Sequence, residues 1–359
     1  MSTLIIPCGG ESTRYPNLRP KWMLCHPSGR LMISEALAGI APGSYDRIIV
    51  IILRKHYKIY GVTIINSLMD ELKTYIAEPE VVLIDSSKNQ PDTIYEGLKV
   101  LEETRDTVEG QIVIKDCDNY FEMGLMEGNS VAVCDISETK SPANKSYVQL
   151  GEQNSIVNIV EKQVISNDFC CGAYSFEDVQ DFIATYKQIK DNDNLYVSHI
   201  IYKMILDGKC FFTKKAKKYS DWGTVEDWLA YKKQFKTLFI DLDGVLVKSS
   251  SGHFPPLWGT TEAIQKNVDC VNKLYAGGKV TVIITTARSK KFEYDTVRQI
   301  HRIGLKYHMI MMELPHAQRI IVNDFSDSNP YPSCVAINIV RNADNLDKLL
   351  DKEGTLWYT

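Results

Sequence analysis

The sequence predicts an α/β protein made of two successive α/β units. Three observations carry that prediction. Strand-sized apolar runs alternate with helical stretches from the start. Near residues 234–236 the pattern restarts with a new apolar strand, which places the division at 1–234 and 235–359. Several strands end in glycine-rich, acidic or hydroxyl-bearing loops, and open α/β sheets bind ligands at the carboxyl ends of their strands.

The first strand, Leu4-Ile5-Ile6, runs into Pro7-Cys8 and then Gly9-Gly10. Paired glycines after a buried strand let the backbone approach a ligand and leave amides free for phosphate. Arg14 and Lys21 follow, cations of the kind a triphosphate needs. An ordinary βα turn also carries glycines, but the order strand, Gly-Gly, Arg, Lys argues for phosphate binding. Residues 31–40 read as a helix, 46–53 as a strand, 63–75 as a helix and 80–84 as a strand. A polar stretch, 85–90, then opens a helix near Pro91, which suits a first turn. It puts Gln90 and Thr93 at a strand's carboxyl end, where they read either as contacts to a base edge or as a polar helix cap.

Residues 111–115 form a fourth strand and deliver Asp116-Cys117-Asp118-Asn119. Two carboxylates two residues apart suit an oxygen-ligand site for Mg²⁺, although a turn rich in Asp and Asn looks similar. Further strands are expected at 131–134 and 171–176, with a hairpin at 147–161 that turns at Gly151 and ends in Glu161-Lys162. Helices follow at 178–189 and 197–207. Thr224, with Asp227 three residues on, reads as a capping-box-like start to a helix through residue 233. Asp221 precedes it, either within reach of a metal or in a surface turn.

In the second unit the strand 237–240 runs into Asp241-Leu242-Asp243-Gly244. A helix at 260–275 stops at Gly277-Gly278, and a strand at 280–284 ends in Thr285-Thr286-Ala287-Arg288. A helix at 290–303, strands at 309–312, 320–322 and 335–340, and a helix near Leu346 complete the reading. The strand 320–322 would deliver Asn323-Asp324 and, three residues on, Asp327.

Bulk properties narrow the function classes. Hydrophobic content of 44% and charged content of 24% are ordinary for a globular protein. Lys+Arg 41 against Asp+Glu 45 gives a net charge of −4 without any block of like charge, so no nucleic-acid footprint is expected. The longest apolar runs are strand-sized, which argues against a membrane span. Nine scattered cysteines without a C-x-x-C pair, and no signal peptide, read as reduced structural thiols in a cytoplasmic enzyme. A homo-oligomer is left open.

Taken together, the opening loop, residues 112–121, the Val160-Glu161-Lys162 strand end, residues 170–176 and residues 221–228 resemble the sugar-phosphate nucleotidyltransferase family, in that family's order. The resemblance implies a Rossmann-like, GT-A-like domain and Mg²⁺-dependent in-line displacement at the α-phosphorus of an NTP by a phosphorylated sugar or polyol, releasing pyrophosphate. It further implies that Gly9, Gly10 and Arg14 hold the departing phosphates, and that Lys21 lies between the α-phosphate and the acceptor. Asp116 and Asp221 would hold the metal, with Asp118 as an alternative or second ligand. Gln90 and Thr93 would read the base, and Glu161 and Lys162 would face the acceptor. Pro7, lacking an N–H where many members carry a small alanine, leaves the choice of base open. A non-sugar phosphate of the phosphocholine or phosphonate type is the alternative acceptor.

Asp241-Leu-Asp-Gly resembles the first motif of the haloacid dehalogenase-like hydrolases. That resemblance implies a capless Rossmannoid domain in which Asp241 attacks phosphorus and Asp243 protonates the leaving oxygen. Thr286, or its neighbour Thr285, would hold the phosphoryl group, and Asp241, Asp243 and Asp324 would hold Mg²⁺, with Asn323 and Asp327 nearby. The family's lysine ahead of the acidic motif is missing; Arg319, His316, Lys290 and Lys291 are the candidate substitutes. The two resemblances together imply a bifunctional enzyme of nucleotide-sugar synthesis for a surface polysaccharide, or a nucleotidyltransferase carrying a degenerate second domain.

Overall fold

A computed structural model describes residues 1–12, 15, 18–192, 194–250, 257–324 and 333–352. Arg14 and Asp327, both expected site residues, lie outside the described residues. The chain divides into two compact units, Met1–Trp228 and Leu229–Thr359.

The apolar alternation of the first strands builds the first unit. In β1 (Ser2–Cys8), Leu4 and Ile6 join one apolar cluster and Ile5 the other, all three with no exposed surface. The elements then follow as α1 (Met32–Ala38), β2 (Arg47–Leu53), α2 (Arg54–Leu72), β3 (Glu80–Ile84), α3 (Gln90–Glu103), β4 (Gln111–Lys115) and β5 (Asn119–Glu122). Next come β6 (Ser130–Asp135), β7 (Ser146–Leu150), β8 (Ile156–Glu161), β9 (Asp168–Phe176), α4 (Val179–Ile189), α5 (Val197–Leu206), β10 (Phe212–Lys215) and β11 (Lys217–Asp221). The division between units falls within α6 (Val225–Lys232).

The main sheet is mixed, in the order β10-β6-β9-β4-β1-β2-β3. β1 runs parallel to β2 and β4, while β9 lies antiparallel to β4 and β6. The β7–β8 hairpin joins through Tyr147 opposite Phe169. Helices α3, α4 and α5 cover one face through Leu98, Phe182 and Ile201. Helices α1 and α2 cover the other through Ile33, Leu37 and Leu68. Strands buried on both faces read as unbroken apolar runs, as Ile48 to Leu53 does.

The helix expected at 63–75 begins instead at Arg54 and ends at Leu72, interrupted at Gly61 with φ 75. The short strands β5, β10 and β11 were not anticipated. Lys217 to Asp221 lacks a buried alternating face, so only its ladder to β5 defines it as a strand.

The second unit has a parallel sheet, β12 (Lys236–Asp241), β13 (Val280–Thr285) and β14 (Met309–Met311), in that spatial order. Helices α7 (Gln265–Ala276), α8 (Glu293–Arg302) and α9 (Leu346–Lys352) supply Val268, Ile300 and Leu350 to a core built on Ile240, Val282 and Ile284. The expected helix start at 260 moves to Gln265, because Ala263 pairs as a β-bridge with Val247. The stretch 290–292 is a single 3₁₀ turn ahead of α8.

Neither 320–322 nor 335–340 forms a strand. Val322 and Val340 are 88% and 78% exposed. A β-branched run has strand propensity, yet a strand exists only where a neighbour completes its ladder.

Candidate active site

The site in the first unit assembles where β1, β4 and β11 end. Gly9 is buried, and a Cβ there would sit 2.5 Å from the Thr93 hydroxyl, so only glycine fits. Gly10 has open space where its side chain would project, which leaves its backbone accessible to a ligand. Thr93 is buried beneath this turn, its hydroxyl engaged by Ser87 at 2.6 Å and by the Asn89 carbonyl at 3.2 Å. It therefore forms the floor of the glycine turn rather than presenting a free hydroxyl to a base. Gln90, one turn earlier, donates its amide to Asp116 Oδ1 at 2.5 Å.

Lys21 begins a 3₁₀ turn and is nearly buried. Its ammonium bonds Asp118 Oδ2 at 2.6 Å and the Gly223 carbonyl at 3.0 Å. The Tyr15 hydroxyl reaches the Trp222 and Thr224 carbonyls at 2.5 and 2.8 Å. Trp222 N–H in turn donates to the Asp118 carbonyl at 2.9 Å. Three distant stretches of sequence are thus tied together by main-chain carbonyls and one ion pair.

Asp116 is fixed from behind by β9. Its N–H donates to the Gly172 carbonyl at 2.9 Å, and Gly172 has φ +97. A Cβ at 172 would lie 2.5 Å from both Asp116 Oδ2 and the Asn119 amide, which explains the glycine in Cys170-Cys171-Gly172. Burial, and then the charge of Asp118, push the Asp116 carboxyl up to about 6. Lys115, fully buried, holds the turn from beneath through the Asp116 carbonyl at 2.7 Å and Asn119 Oδ1 at 2.6 Å. Burial lowers the Lys115 ammonium, with Asp116 opposing.

Asp221 Oδ1 accepts from Gly223 N–H at 2.9 Å, and its Oδ2 is bonded by the Lys145 ammonium. Lys145 also donates to the Tyr219 hydroxyl at 2.7 Å, and its carbonyl accepts from Lys162 N–H at 3.0 Å. Glu161, at the end of β8, accepts from the hydroxyls of Ser146 and Ser198. Lys162, in the left-handed region with φ 56, bonds the Tyr196 hydroxyl at 2.6 Å.

Lys21, Gln90, Asp116, Asp118 and Asp221 therefore form one connected group, with Gly9 and Gly10 reached through Thr93 and the opening loop. Glu161 and Lys162 join it through Lys145. Sequence reading missed Lys145, Ser146, Tyr196 and Ser198. The hairpin held a usable signal: residues opening one strand lie opposite those closing its partner, and Ser146 does pair with Glu161.

In the second unit Asp241 ends β12, and Asp243 lies where the loop begins. Thr286 donates to Asp243 at 3.2 Å. Arg288, with no exposed side-chain surface, clasps both Asp243 oxygens at 2.9 and 2.7 Å and is itself held by Gln299 at 2.8 Å. Arg319, one of the four candidate cations, bonds Asp241 at 2.9 Å. Asp324 is exposed, and its carbonyl accepts from Ser333.

Among the described residues, no three His, Cys, Asp or Glu side chains are gathered to hold a metal ion. The expected metal sets are thus only partly assembled. In the first unit ammonium groups hold Asp118 and Asp221; in the second the strand meant to deliver Asp324 does not form. The donor chemistry of Asp116, Asp118 and Asp221 nevertheless suits Mg²⁺, since all are hard carboxylate oxygens.

No protein-family model matches the chain, and no curated protein sequence matches it. Solved structures do match its N-terminal part. A nucleoside-diphosphate-sugar pyrophosphorylase from Vibrio cholerae RC9 superposes with TM-score 0.55 at 16% identity, over 64% of this chain and 98% of that one. A UDP-glucose pyrophosphorylase complexed with UDP-glucose superposes with TM-score 0.50 at 14% identity, over 65% and 99%. The first unit thus shares the α/β fold, with its mixed Rossmann-like sheet, of these nucleotidyltransferases. Among the described residues no helix is long and apolar enough to cross a membrane.

Proposed function

We propose that the first unit transfers a nucleotidyl group from an NTP to a phosphorylated sugar or polyol. An acceptor phosphate oxygen forms the new bond to the α-phosphorus, the bond to the β-phosphate breaks, and pyrophosphate leaves. The observation that carries this reading is the hydrogen-bonded network that joins Lys21 to Asp118 and, through Gly223, to Asp221, with Asp116 held by Gln90, on a fold shared with pyrophosphorylases. Such a reaction needs positioning and charge neutralisation rather than a covalent intermediate.

In this reading the open backbone at Gly10 receives phosphate, and Lys21 offsets charge near the bond being made. Glu161, steadied by two serine hydroxyls, accepts from acceptor hydroxyls, and Lys162 meets the acceptor's anionic end. Asp116 and Asp221, with Asp118, would hold Mg²⁺, which supplies charge neutralisation on the phosphates. A pyrophosphate-release assay across NTPs and phosphorylated acceptors, with Lys21→Ala as control, tests the reading. Background release with every pair would end it.

We propose for the second unit a phosphoryl-binding site of the haloacid dehalogenase-like type. Support comes from Asp241, Asp243 and Thr286 at adjacent parallel strand ends, with Arg319 on Asp241. Sugar-phosphate hydrolysis by wild type against Asp241→Asn is the test; equal, negligible rates would leave this unit a degenerate domain.

A further inference from the structure

Lys145 stands between the carboxylate group and the Glu161–Lys162 wall. Asp221 has one oxygen engaged by Gly223 N–H, so Oδ2 is the oxygen through which it would hold an ion. The Lys145 ammonium sits on that oxygen. The pair is well covered, with side-chain exposures of 13% and 20%. A covered carboxylate needs a counter-charge, and in this structure Lys145 provides it to Asp221.

We infer that Lys145 is a positioning residue for the divalent ion: its ammonium is the resident counter-ion of Asp221 Oδ2, and the ion binds by displacing it. The inference rests on the carboxylate reading of the preceding subsection. Two features favour an exchange. The Lys145 main chain is anchored by the Lys162 N–H bond and by the Ser146–Glu161 pair, so the side chain can swing without moving the hairpin. The Tyr219 hydroxyl at 2.7 Å, and its ring at 5.0 Å, remain as partners once Asp221 is released.

The probe is Mn²⁺, titrated against the full chain and followed by the loss of its free electron-spin-resonance signal. Lys145→Met should tighten Mn²⁺ binding about tenfold, because Asp221 no longer gives up an ion pair. Lys145→Arg keeps the pair and should stay within about threefold of wild type. Lys162→Met removes a cation that bonds Tyr196 rather than a carboxylate, so it should change the affinity less than about threefold. Circular dichroism and melting curves would establish that each variant is folded. Wild-type or weaker binding by Lys145→Met would overturn the inference, as would equal tightening by Lys162→Met. If Mn²⁺ binds neither wild type nor any variant, the carboxylate reading fails along with it; clear binding that ignores Lys145 defeats the inference alone.

Discussion

Lys21 and Asp118 meet at 2.6 Å across 97 residues of chain, and the same ammonium reaches the Gly223 carbonyl. One cation thereby unites the opening loop, the acidic turn after β4 and the segment before α6. Removing a charge aimed at the reacting phosphates typically costs about 10²–10³-fold in turnover. Lys21→Ala should lose at least that much pyrophosphate release, and a rate within about threefold of wild type would remove Lys21 from the chemistry.

Gly172 and Gly10 should separate folding from function. Gly172→Ala forces a Cβ to 2.5 Å from Asp116 Oδ2 at φ +97, and should cost about 2 kcal/mol or more in urea unfolding. Gly10→Ala meets no atom within 4 Å and should stay within about 0.5 kcal/mol of wild type. Its effect should appear as weaker NTP binding, since the new methyl group stands where a phosphate would approach.

Asp116 gives a pH signature. Burial and Asp118 raise its folded carboxyl to about 6 from 3.8, so between those values the folded chain holds a proton that the unfolded chain has released. Its contribution to stability therefore falls as pH rises through about 4 to 6 and is level above that window. Asp116→Asn abolishes the titration while its amide oxygen can still accept from Gln90. The stability of the variant relative to wild type should climb across the window; a difference independent of pH would show that Asp116 titrates normally.

Arg288→Met tests the second unit. Asp243 would lose its guanidinium partner while keeping 23% side-chain exposure, which moderates the penalty to about 2–4 kcal/mol. The double change Arg288→Met with Asp243→Leu should cost less than the two single changes added. Additive costs would mean the pair contributes no coupling.

Where a stretch carried its own periodicity and its own partner, the sequence revealed it. β3 and β4 occupy the residues expected, because each apolar run has a neighbour that completes its ladder: β4 lies between β1 and β9, and β3, at the sheet edge, pairs with β2. Residues 320–322 had the same composition and no ladder, and composition alone could not distinguish the cases. The site divides similarly. Lys21, Asp116, Asp118 and Asp221 were visible because their spacing formed motifs. Lys145 was not, since its meaning depends on Asp221, brought within reach across 76 residues by the hairpin and β11. Thr93 was legible as a loop-end residue, but its burial under Gly9 depends on how closely α3 approaches β1.

The Tyr15 hydroxyl, joined to the Trp222 and Thr224 carbonyls from 207 and 209 residues away, has a thermodynamic consequence. The loop proposed to grip phosphate and the segment carrying Asp221 cannot be ordered independently. A ligand that stiffens either one lowers the entropy still to be lost by the other, so nucleotide and divalent ion should bind with positive cooperativity even if no atom of one touches the other. Tyr15→Phe keeps the ring while cutting that tie, and should loosen this mutual reinforcement before it weakens either ligand alone.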